Sequence, residues 1–291
     1  MAVIYPNSER FNVKIAVLAD IHGNLPALLT VAADIEAWQP DVVVVAGDVV
    51  NRGPRSQECL EFIQTRQQQQ GWLVVRGNHE DYVLAQARLD RPRSGPEYEI
   101  SLNSLWTYQK LNGEMDTLEK MPFQISIPGP HDEEVRFVHA SMKGNREGIY
   151  PESGTAELRQ KITPPPAVLG AGHTHRPLIR QVDETLVVNV GSVGMPFDGN
   201  IRAAYGRLST RQDRWEAEII RLDYDRAQTE RDFFETGFIP QAGDLARIML
   251  VEFRQARSHI FAWVTQYQPI VLAGHMSVAD SVTEYLARII Q

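Results

Sequence analysis

Short apolar runs alternate with amphipathic segments through the first eighty residues. Apolar runs at Val13–Ala19, Asp41–Ala46 and Trp72–Val75 predict three strands. Between them, Leu25–Trp38 and Ser56–Gln69 carry apolar residues three and four positions apart, which predicts two helices, with Ser56 as the expected N-cap of the second. Continuous apolar strands that alternate with helices favour a parallel sheet covered on both faces, and therefore an α/β fold.

The pattern changes after this first unit. Residues from about 80 to 120 read as polar helix, which we interpret as a helical cap inserted over the site. After Asp223 the pattern is helical again, up to Ile290. Between cap and tail, short runs separated by turn-sized gaps predict an antiparallel or mixed arrangement of seven strands. These strands are Phe123–Ile127, Val135–His139, Ala167–Gly170, Leu178–Val182, Leu186–Val190, Arg202–Leu208 and Trp215–Leu222.

Composition and charge exclude several classes of protein. The 291 residues carry a net charge of −8, which argues against a nucleic-acid partner, because such proteins need a basic face. Cys59 is the only cysteine, so no internal disulfide points to secretion. No apolar run approaches the roughly 20 residues of a membrane span, and residues 1–12 do not resemble a signal peptide. We therefore expect a cytoplasmic protein without a membrane partner.

Polar motifs follow the predicted strands, and five of the eight histidines lie in them. In parallel sheets, ligands bind at the carboxyl ends of strands, where these motifs fall. Alternate residues of an extended segment share one side, so an Asp-x-His or His-x-His sequence can direct both side chains into one cavity. The motifs are Asp20-Ile21-His22-Gly23-Asn24, Gly47-Asp48 with Asn51-Arg52-Gly53-Pro54, Gly77-Asn78-His79-Glu80, Val138-His139-Ala140-Ser141 and Gly172-His173-Thr174-His175.

The residue types in these motifs favour divalent metal ions. Mixed carboxylate, imidazole and amide donors suit hard to borderline cations, and the lack of thiolates disfavours soft metals. A carboxylate can bridge two metals about 3.5–4 Å apart, the spacing used for in-line displacement at phosphorus. Taken singly, each residue has a plainer interpretation. Asp20 could be a helix N-cap, His139 a satisfied core histidine, and Arg52 the partner of an acidic neighbour.

Together, these motifs resemble the calcineurin-like metallophosphoesterase superfamily. With the later segment Asn189–Pro196, they most resemble its bacterial branch, which is related to serine/threonine phosphatases and diadenosine tetraphosphate hydrolases. The resemblance covers about Val13 to Leu222. It implies a layered α/β/β/α sandwich with mixed sheets, a helical cap insertion and a C-terminal helical extension. We expect a metallophosphoesterase domain at 1–225, including the cap, and the extension at 226–291.

The resemblance also implies a site with two divalent metal ions. One would be held by Asp20, His22, Asp48 and His175, and the other by Asp48, Asn78, His139 and His173, with Asp48 bridging. Manganese is the expected metal, with iron, zinc or nickel as alternatives. A hydroxide that bridges the two metals would attack phosphorus in line.

Two further roles follow from the same resemblance. Arg52 would bind the phosphoryl oxygens, and His79 would protonate the leaving oxygen or stabilise the transition state. One position departs from the protein-phosphatase pattern, since Asn51 stands where that branch has an aspartate that orients the histidine. Glu80 or Asp81 is a candidate to orient His79 instead.

The expected function is hydrolysis of a small-molecule phosphate ester or a dinucleotide. A serine/threonine-type protein phosphatase, a nuclease and a non-catalytic scaffold are the alternatives, the nuclease being disfavoured by the net charge. The apolar content of the C-terminal helices leaves two interpretations open, which are packing on the core and contact within a homo-oligomer.

Overall fold

A computed structural model describes residues 13–113 and 115–289 of the chain. The N-terminal segment in which no signal peptide is expected lies outside the described residues. So does Ile290, the end of the predicted helical tail.

The described strands form two five-stranded sheets. The first has the order β10-β9-β1-β2-β3 and the second the order β4-β5-β6-β8-β7. Strands β1, β2 and β3 are parallel, whereas β9 and β10 are antiparallel to their neighbours, so the first sheet is mixed. The second sheet is mixed too, since β5, β6 and β8 are parallel and the outer two strands antiparallel. The strands are β1 (Lys14–Leu18), β2 (Val42–Val45), β3 (Leu73–Val74), β4 (Gln124–Pro128), β5 (Glu134–Val138), β6 (Val168–Ala171), β7 (Leu178–Val182), β8 (Thr185–Asn189), β9 (Ala203–Arg211) and β10 (Arg214–Leu222).

The helices of the described residues fall into three groups. Two cover the first sheet, four follow β3 in the region of the expected cap, and six follow β10, while one more lies between β5 and β6. A 3₁₀ turn at Ala85–Ala87 follows the first cap helix. The helices are α1 (Leu25–Trp38), α2 (Ser56–Gln70), α3 (Asn78–Leu84), α4 (Pro96–Ile100), α5 (Leu102–Lys110), α6 (Met115–Lys120), α7 (Thr155–Ile162), α8 (Arg226–Glu235), α9 (Phe238–Gln241), α10 (Leu245–Gln255), α11 (Ile260–Gln266), α12 (Gln268–Leu272) and α13 (Val278–Ile289).

The alternation of side chains along β1 explains the layers. Ile15 and Val17 belong to the apolar core that the two sheets enclose, whereas Ala16 and Leu18 belong to the core between the first sheet and its covering helices. Successive residues of a strand point to opposite faces, so an all-apolar strand must be covered on both sides. Two mixed sheets flanked by helices confirm the predicted α/β sandwich.

Two features were not predicted and one local expectation was wrong. Strands β9 and β10 join the first sheet, where β9 pairs with β1. Helix α7 has no counterpart among the predicted elements. Ser56 is the first residue of α2 rather than its N-cap, and its hydroxyl instead accepts the N–H of Asn51 at 2.9 Å.

The helices after β10 have an apolar core of their own. Trp263, Tyr267 and Val271 are buried there together with residues of α10 and α13. Within the described part of the chain, we find no helix with the length and apolar character needed to cross a membrane. The division of the chain at residue 225 remains a prediction.

Candidate metal centre

The side chains expected to bind metals come together where the strands of both sheets end. Asp20, Asp48 and Asn78 follow β1, β2 and β3, and His139 and His173 follow β5 and β6. Because β1–β3 are parallel, their carboxyl ends share one edge of the first sheet. The same holds for β5 and β6 in the second sheet, so loops from both sheets meet at one place.

The backbone of the strand-end loops adopts unusual torsion angles and approaches the site side chains closely. Seven site residues have positive φ angles, a region that costs most side chains energy and that concentrates at functional sites. Two glycines allow the loops to approach the carboxylates. A Cβ on Gly77 would lie 2.1 Å from Asp48 Oδ1, and one on Gly172 would lie 2.6 Å from Asp20 Oδ2. The residues with positive φ are Asp20, His22, Asp48, Asn51, Arg52, His173 and His175.

A first donor set consists of Asp20, His22 and His175. The Nε2 atoms of the two histidines are 3.1 Å apart, and Asp20 Oδ1 lies 3.5 Å from that of His175 and 3.9 Å from that of His22. Asp20 Oδ2 accepts the N–H of His173 at 2.7 Å. Asp20 Oδ1 is buried and has no hydrogen-bond partner among the described residues. An unsatisfied buried carboxylate oxygen beside two imidazole nitrogens is the arrangement that a cation would complete.

A second donor set lies next to the first. Asn78 Oδ1 is 2.9 Å from His139 Nε2 and 2.8 Å from His173 Nδ1, and these two nitrogens are 3.2 Å apart. The three atoms lie within 3.2 Å of one another, close enough to be ligands of a single metal.

Asp48 joins the two sets. Its Oδ2 lies 3.6 Å from His22 Nε2 of the first set and 3.3 Å from His139 Nε2 of the second. Its Oδ1 accepts the backbone N–H of His79 at 2.9 Å, which fixes the rotamer of the carboxylate. The structure therefore brings together all seven residues that the resemblance implies as metal ligands, and their role in binding metal remains a prediction.

The backbone orients two of the imidazoles. His139 Nδ1 lies 2.9 Å from the carbonyl of Ala46, and His175 Nδ1 contacts the carbonyl of Met195. A proton on each Nδ1 directs Nε2 into the site, where His175 offers a lone pair and His139 would release its second proton on binding a metal.

Burial governs the protonation of the site. It disfavours the charged form of His139, but the charge and hydrogen bond of Asp48, the charge of Asp20 and the carbonyl of Ala46 together outweigh burial and raise the pKa of His139 to about 10. The other site imidazoles stay neutral at pH 7, which leaves them a lone pair for a metal. Burial is the main cause, and it lowers the pKa of His173 to about 4, that of His79 to about 3, and those of His22 and His175 well below the usual range.

His79 lies beside the first donor set, but the expected orienting groups do not reach it. Its ring is edge-on to that of His22, with centroids 4.7 Å apart, and its Nδ1 is buried without a hydrogen-bond partner in the described chain. The expectation that Glu80 or Asp81 orients His79 was wrong. Glu80 accepts the backbone N–H groups of residues 48, 49, 50 and 77, and Asp81 pairs with Arg76.

Asn51 is turned away from His79 and towards α5. Its amide donates to Ser104 Oγ at 3.0 Å, and its Oδ1 accepts from Asn103 at 3.2 Å and from Thr107 at 3.3 Å. The Asn51 side chain thus fastens the cap region to the loop that carries Arg52.

Arg52 has the acidic neighbour that the plainer interpretation foresaw, and it comes from a distant part of the chain. Arg52 Nη2 donates to Glu252 Oε2 of α10 at 2.5 Å, and Glu252 is fully buried. The guanidinium also lies over the ring of Phe197, which in turn stacks on His175 at a centroid distance of 4.2 Å. Arg52 Nε is buried and unpartnered among the described residues, and Arg52 lines the cavity beside the donor sets.

Sequence reasoning missed Phe197 and Glu252 and gave Glu80 a different role. The observed role of Glu80 had a signal, because an acidic residue in the first turn of a helix often accepts backbone N–H groups. Glu252 had none, since it lies within an apolar helix 200 residues from Arg52.

A cavity of about 1470 Å³ opens over both donor sets. Its walls come from the strand-end loops, from α4 and α5 of the cap region, and from α10, α11 and α12. The C-terminal helices therefore form part of the wall of the candidate site.

Comparison with known proteins is consistent with this geometry. A family model described as calcineurin-like phosphoesterase matches residues 13–177. The uncharacterised protein MJ0912 of Methanocaldococcus jannaschii is 29% identical over 231 residues, which are 72% of this chain and 88% of that protein. The crystal structure of a metallophosphoesterase from Sphaerobacter thermophilus is similar with a TM-score of 0.67 at 25% identity, covering 84% of this chain and 99% of that one. The hypothetical protein PH1004 from Pyrococcus horikoshii OT3 has the same fold, with a TM-score of 0.66, 22% identity, and coverage of 79% and 98%.

Proposed function

The chain belongs to the calcineurin-like phosphoesterase family, and from that premise we propose that it is a dinuclear metal-dependent phosphoesterase that hydrolyses a small phosphorylated molecule. One observation carries the proposal. Two compact donor sets share Asp48 Oδ2, which lies 3.6 Å from a nitrogen of one set and 3.3 Å from a nitrogen of the other. A purely structural role for these seven residues would not explain why their donor atoms cluster in two adjacent sets.

The donors fit two divalent cations. They are carboxylate, amide and imidazole groups without thiolates, which suits manganese, the metal we propose, and also iron, zinc or nickel. The unpartnered Asp20 Oδ1 supports the fit, because a cation would satisfy it. When bound, such cations supply Lewis acidity and lower the pKa of coordinated water.

Two residues of the chain would act on the substrate itself. Arg52 lines the cavity and would hold the phosphoryl oxygens there, and the buried carboxylate of Glu252 keeps the guanidinium in place. His79, beside the first donor set, would stabilise the transition state, because burial keeps its imidazole neutral and leaves a ring N–H to donate to the leaving oxygen.

The arrangement of Asn51 argues against the alternative of a serine/threonine-type protein phosphatase. Its side chain is held by Asn103, Ser104 and Thr107, so it cannot orient His79 as an aspartate would. A scaffold without catalytic activity is disfavoured, because such a protein has no use for a complete donor set. The nuclease alternative is disfavoured by the net charge of −8. Homo-oligomerisation through the C-terminal helices and a cytoplasmic location remain predictions.

Hydrolysis of bis-p-nitrophenyl phosphate by the Mn²⁺-loaded protein tests the proposal. A panel that adds a phosphomonoester, diadenosine tetraphosphate and a phosphopeptide would identify the class of substrate. We expect Asp48→Asn to abolish turnover while retaining the fold, since Asn can still accept the N–H of His79. The matched control is Asp116→Asn, the same change on an exposed residue of α6, which should leave activity intact. Full activity of Asp48→Asn or of EDTA-treated protein would refute the mechanism.

A further inference from the structure

The cavity over the donor sets is larger than a phosphate group requires. Pockets for drug-sized ligands occupy about 300–1,000 Å³, whereas this cavity has a volume of about 1470 Å³. The metal donors of the lining lie at the strand-end loops, whereas its charged side chains are spread more widely and include Arg91, Glu97 and Arg257. The end of the wall that helices α10, α11 and α12 form is mainly apolar.

One face of two consecutive helices forms most of this apolar end. Phe261, Val264, Gln268 and Leu272 of α11 and α12 line the cavity at intervals of three and four residues, so they form a single stripe. The opposite face of the same helices is buried against α10 and α13 and includes Trp263 and Val271. The stripe therefore projects from a well-packed element into the cavity.

The apolar side chains of the stripe have little protein to pack against. Phe261 is 73% exposed, Leu272 45% and Val264 37%. Covering apolar surface of this kind is favourable by about 25 cal/mol per Å², and contiguous exposed apolar surface beside a polar site is typical of a ligand-binding groove. Leu245 and Met249 of α10 extend the apolar wall towards the donor sets.

The chemistry of the wall favours an aliphatic occupant over a nucleobase. A base needs hydrogen-bond partners for its polar edge, and the stripe offers one polar side chain, Gln268. Most aromatic rings of the lining are already engaged. Phe197 lies between His175 and Arg52, Tyr82 contacts His79 and Arg146, Tyr150 lies beneath Lys161, and Trp263 is in the core. Phe261 is then the one ring in the described lining that a base could stack on.

We propose that this stripe, defined as Phe261, Val264, Gln268 and Leu272, is a subsite for an alkyl or acyl substituent of the phosphoester substrate. The proposal rests on the proposed function, since the same cavity holds the candidate metal centre. The substrate is then an amphiphilic phosphoester, with its phosphoryl group at Arg52 and its apolar part against α11 and α12.

A series of p-nitrophenyl alkyl phosphate diesters with methyl, butyl and octyl groups tests the subsite. Water adds to phosphorus, the bond to nitrophenolate breaks, and the alkyl phosphate is the other product. We expect kcat/KM of the Mn²⁺-loaded protein to rise by about two- to fourfold per methylene until the subsite is filled. Hydrolysis without any dependence on chain length would overturn the subsite alone, whereas no hydrolysis of any member would overturn the proposed function as well.

Substitutions in the stripe test whether the dependence of kcat/KM on chain length arises there. Phe261→Ser and Leu272→Ser should each lower the octyl-to-methyl ratio of kcat/KM by about tenfold. Ile270→Ser is the matched control, because Ile270 is 41% exposed on the same helix but does not line the cavity. It should keep the wild-type ratio. An equal loss in all three variants would overturn the assignment, as would faster turnover of diadenosine tetraphosphate than of the octyl diester. A third result would also overturn it: a dimeric wild-type protein that dissociates in Phe261→Ser, while the dependence of kcat/KM on chain length stays unchanged. The stripe would then be a subunit interface.

Discussion

The ion pair between Arg52 and Glu252 gives the sharpest test of how the C-terminal helices contribute to the site. Glu252 is fully buried and the Arg52 side chain is 11% exposed, so solvent screens the pair weakly. Glu252 Oε2 accepts from Arg52, while its Oε1 accepts the N–H groups of His259 and Ile260 at 2.6 and 2.8 Å. One carboxylate thus holds both the guanidinium and the start of α11.

The change from Glu252 to Gln removes the charge with little change of shape. Breaking a buried pair by removing one partner costs about 3–5 kcal/mol, because the other charge stays buried without compensation. For a chain of this size we expect the melting temperature to fall by roughly 6–20 °C, since 1 kcal/mol corresponds to about 2–4 °C. We also expect Arg52 to lose its fixed position, which should lower kcat/KM for the methyl diester by about 10- to 100-fold.

Calorimetry and steady-state kinetics of Glu252→Gln, Arg52→Ala and the double variant measure both effects. The double-mutant cycle should show a coupling of at least about 2 kcal/mol in stability. Glu230→Gln is the matched control, because Glu230 pairs with Arg254 in the same extension but both side chains are more than a third exposed. It should change stability by less than about 1 kcal/mol and leave kcat/KM unchanged. Unchanged kinetics in Glu252→Gln, together with no coupling in the cycle, would refute the conclusion that Glu252 positions Arg52.

Three further predictions test the rest of the site. Removal of metal by EDTA should abolish turnover, and Mn²⁺ at 100 times its dissociation constant should restore it and stabilise the fold by about 2.7 kcal/mol in calorimetry; unaltered melting with Mn²⁺ would contradict the donor sets. Gly77→Ala should destabilise the chain by about 1–3 kcal/mol and inactivate it, because its Cβ would lie 2.1 Å from Asp48 Oδ1. Gly154→Ala, whose Cβ would meet no atom within 4 Å, is the control that should keep its activity. Asn51→Asp should not create phosphopeptide phosphatase activity, since the side chain faces α5 rather than His79. A large gain in activity on a phosphopeptide would contradict this, because it would show that asparagine at position 51 is by itself what excludes that substrate.

Much of the fold could be predicted because the pattern of apolar residues within a short segment indicates whether it forms a strand or a helix. The helix predicted over Leu25–Trp38 has those bounds in the structure, and the strand predicted over Val13–Ala19 is observed as Lys14–Leu18. A run or a periodic stripe of apolar residues predicts which residues are buried, without identifying the element they pack against. The candidate ligands were predictable for a related reason, since each lies within a few residues of a strand end and the parallel strands carry their ends to one edge.

The remaining features depend on which distant segments meet. The sequence near β9 shows a strand, but its pairing with β1 depends on how the chain returns across the sandwich. The same limit applies to Asn51, whose type suggested a change in the orientation of His79, while its contacts with α5 are visible only in the folded chain.

The sequence by itself determined the α/β class, the identity of the polar residues at the strand ends and the absence of thiolate donors. The tertiary structure alone decided that Asp48 Oδ2 lies between two donor sets, that Glu252 of α10 meets Arg52 across 200 residues, and that α11 and α12 turn an apolar stripe into the cavity. The physical reason is that periodicity and residue type record how much of a side chain is buried or what it can bind. The partner that it meets is set by the packing of complete elements, which no local pattern encodes.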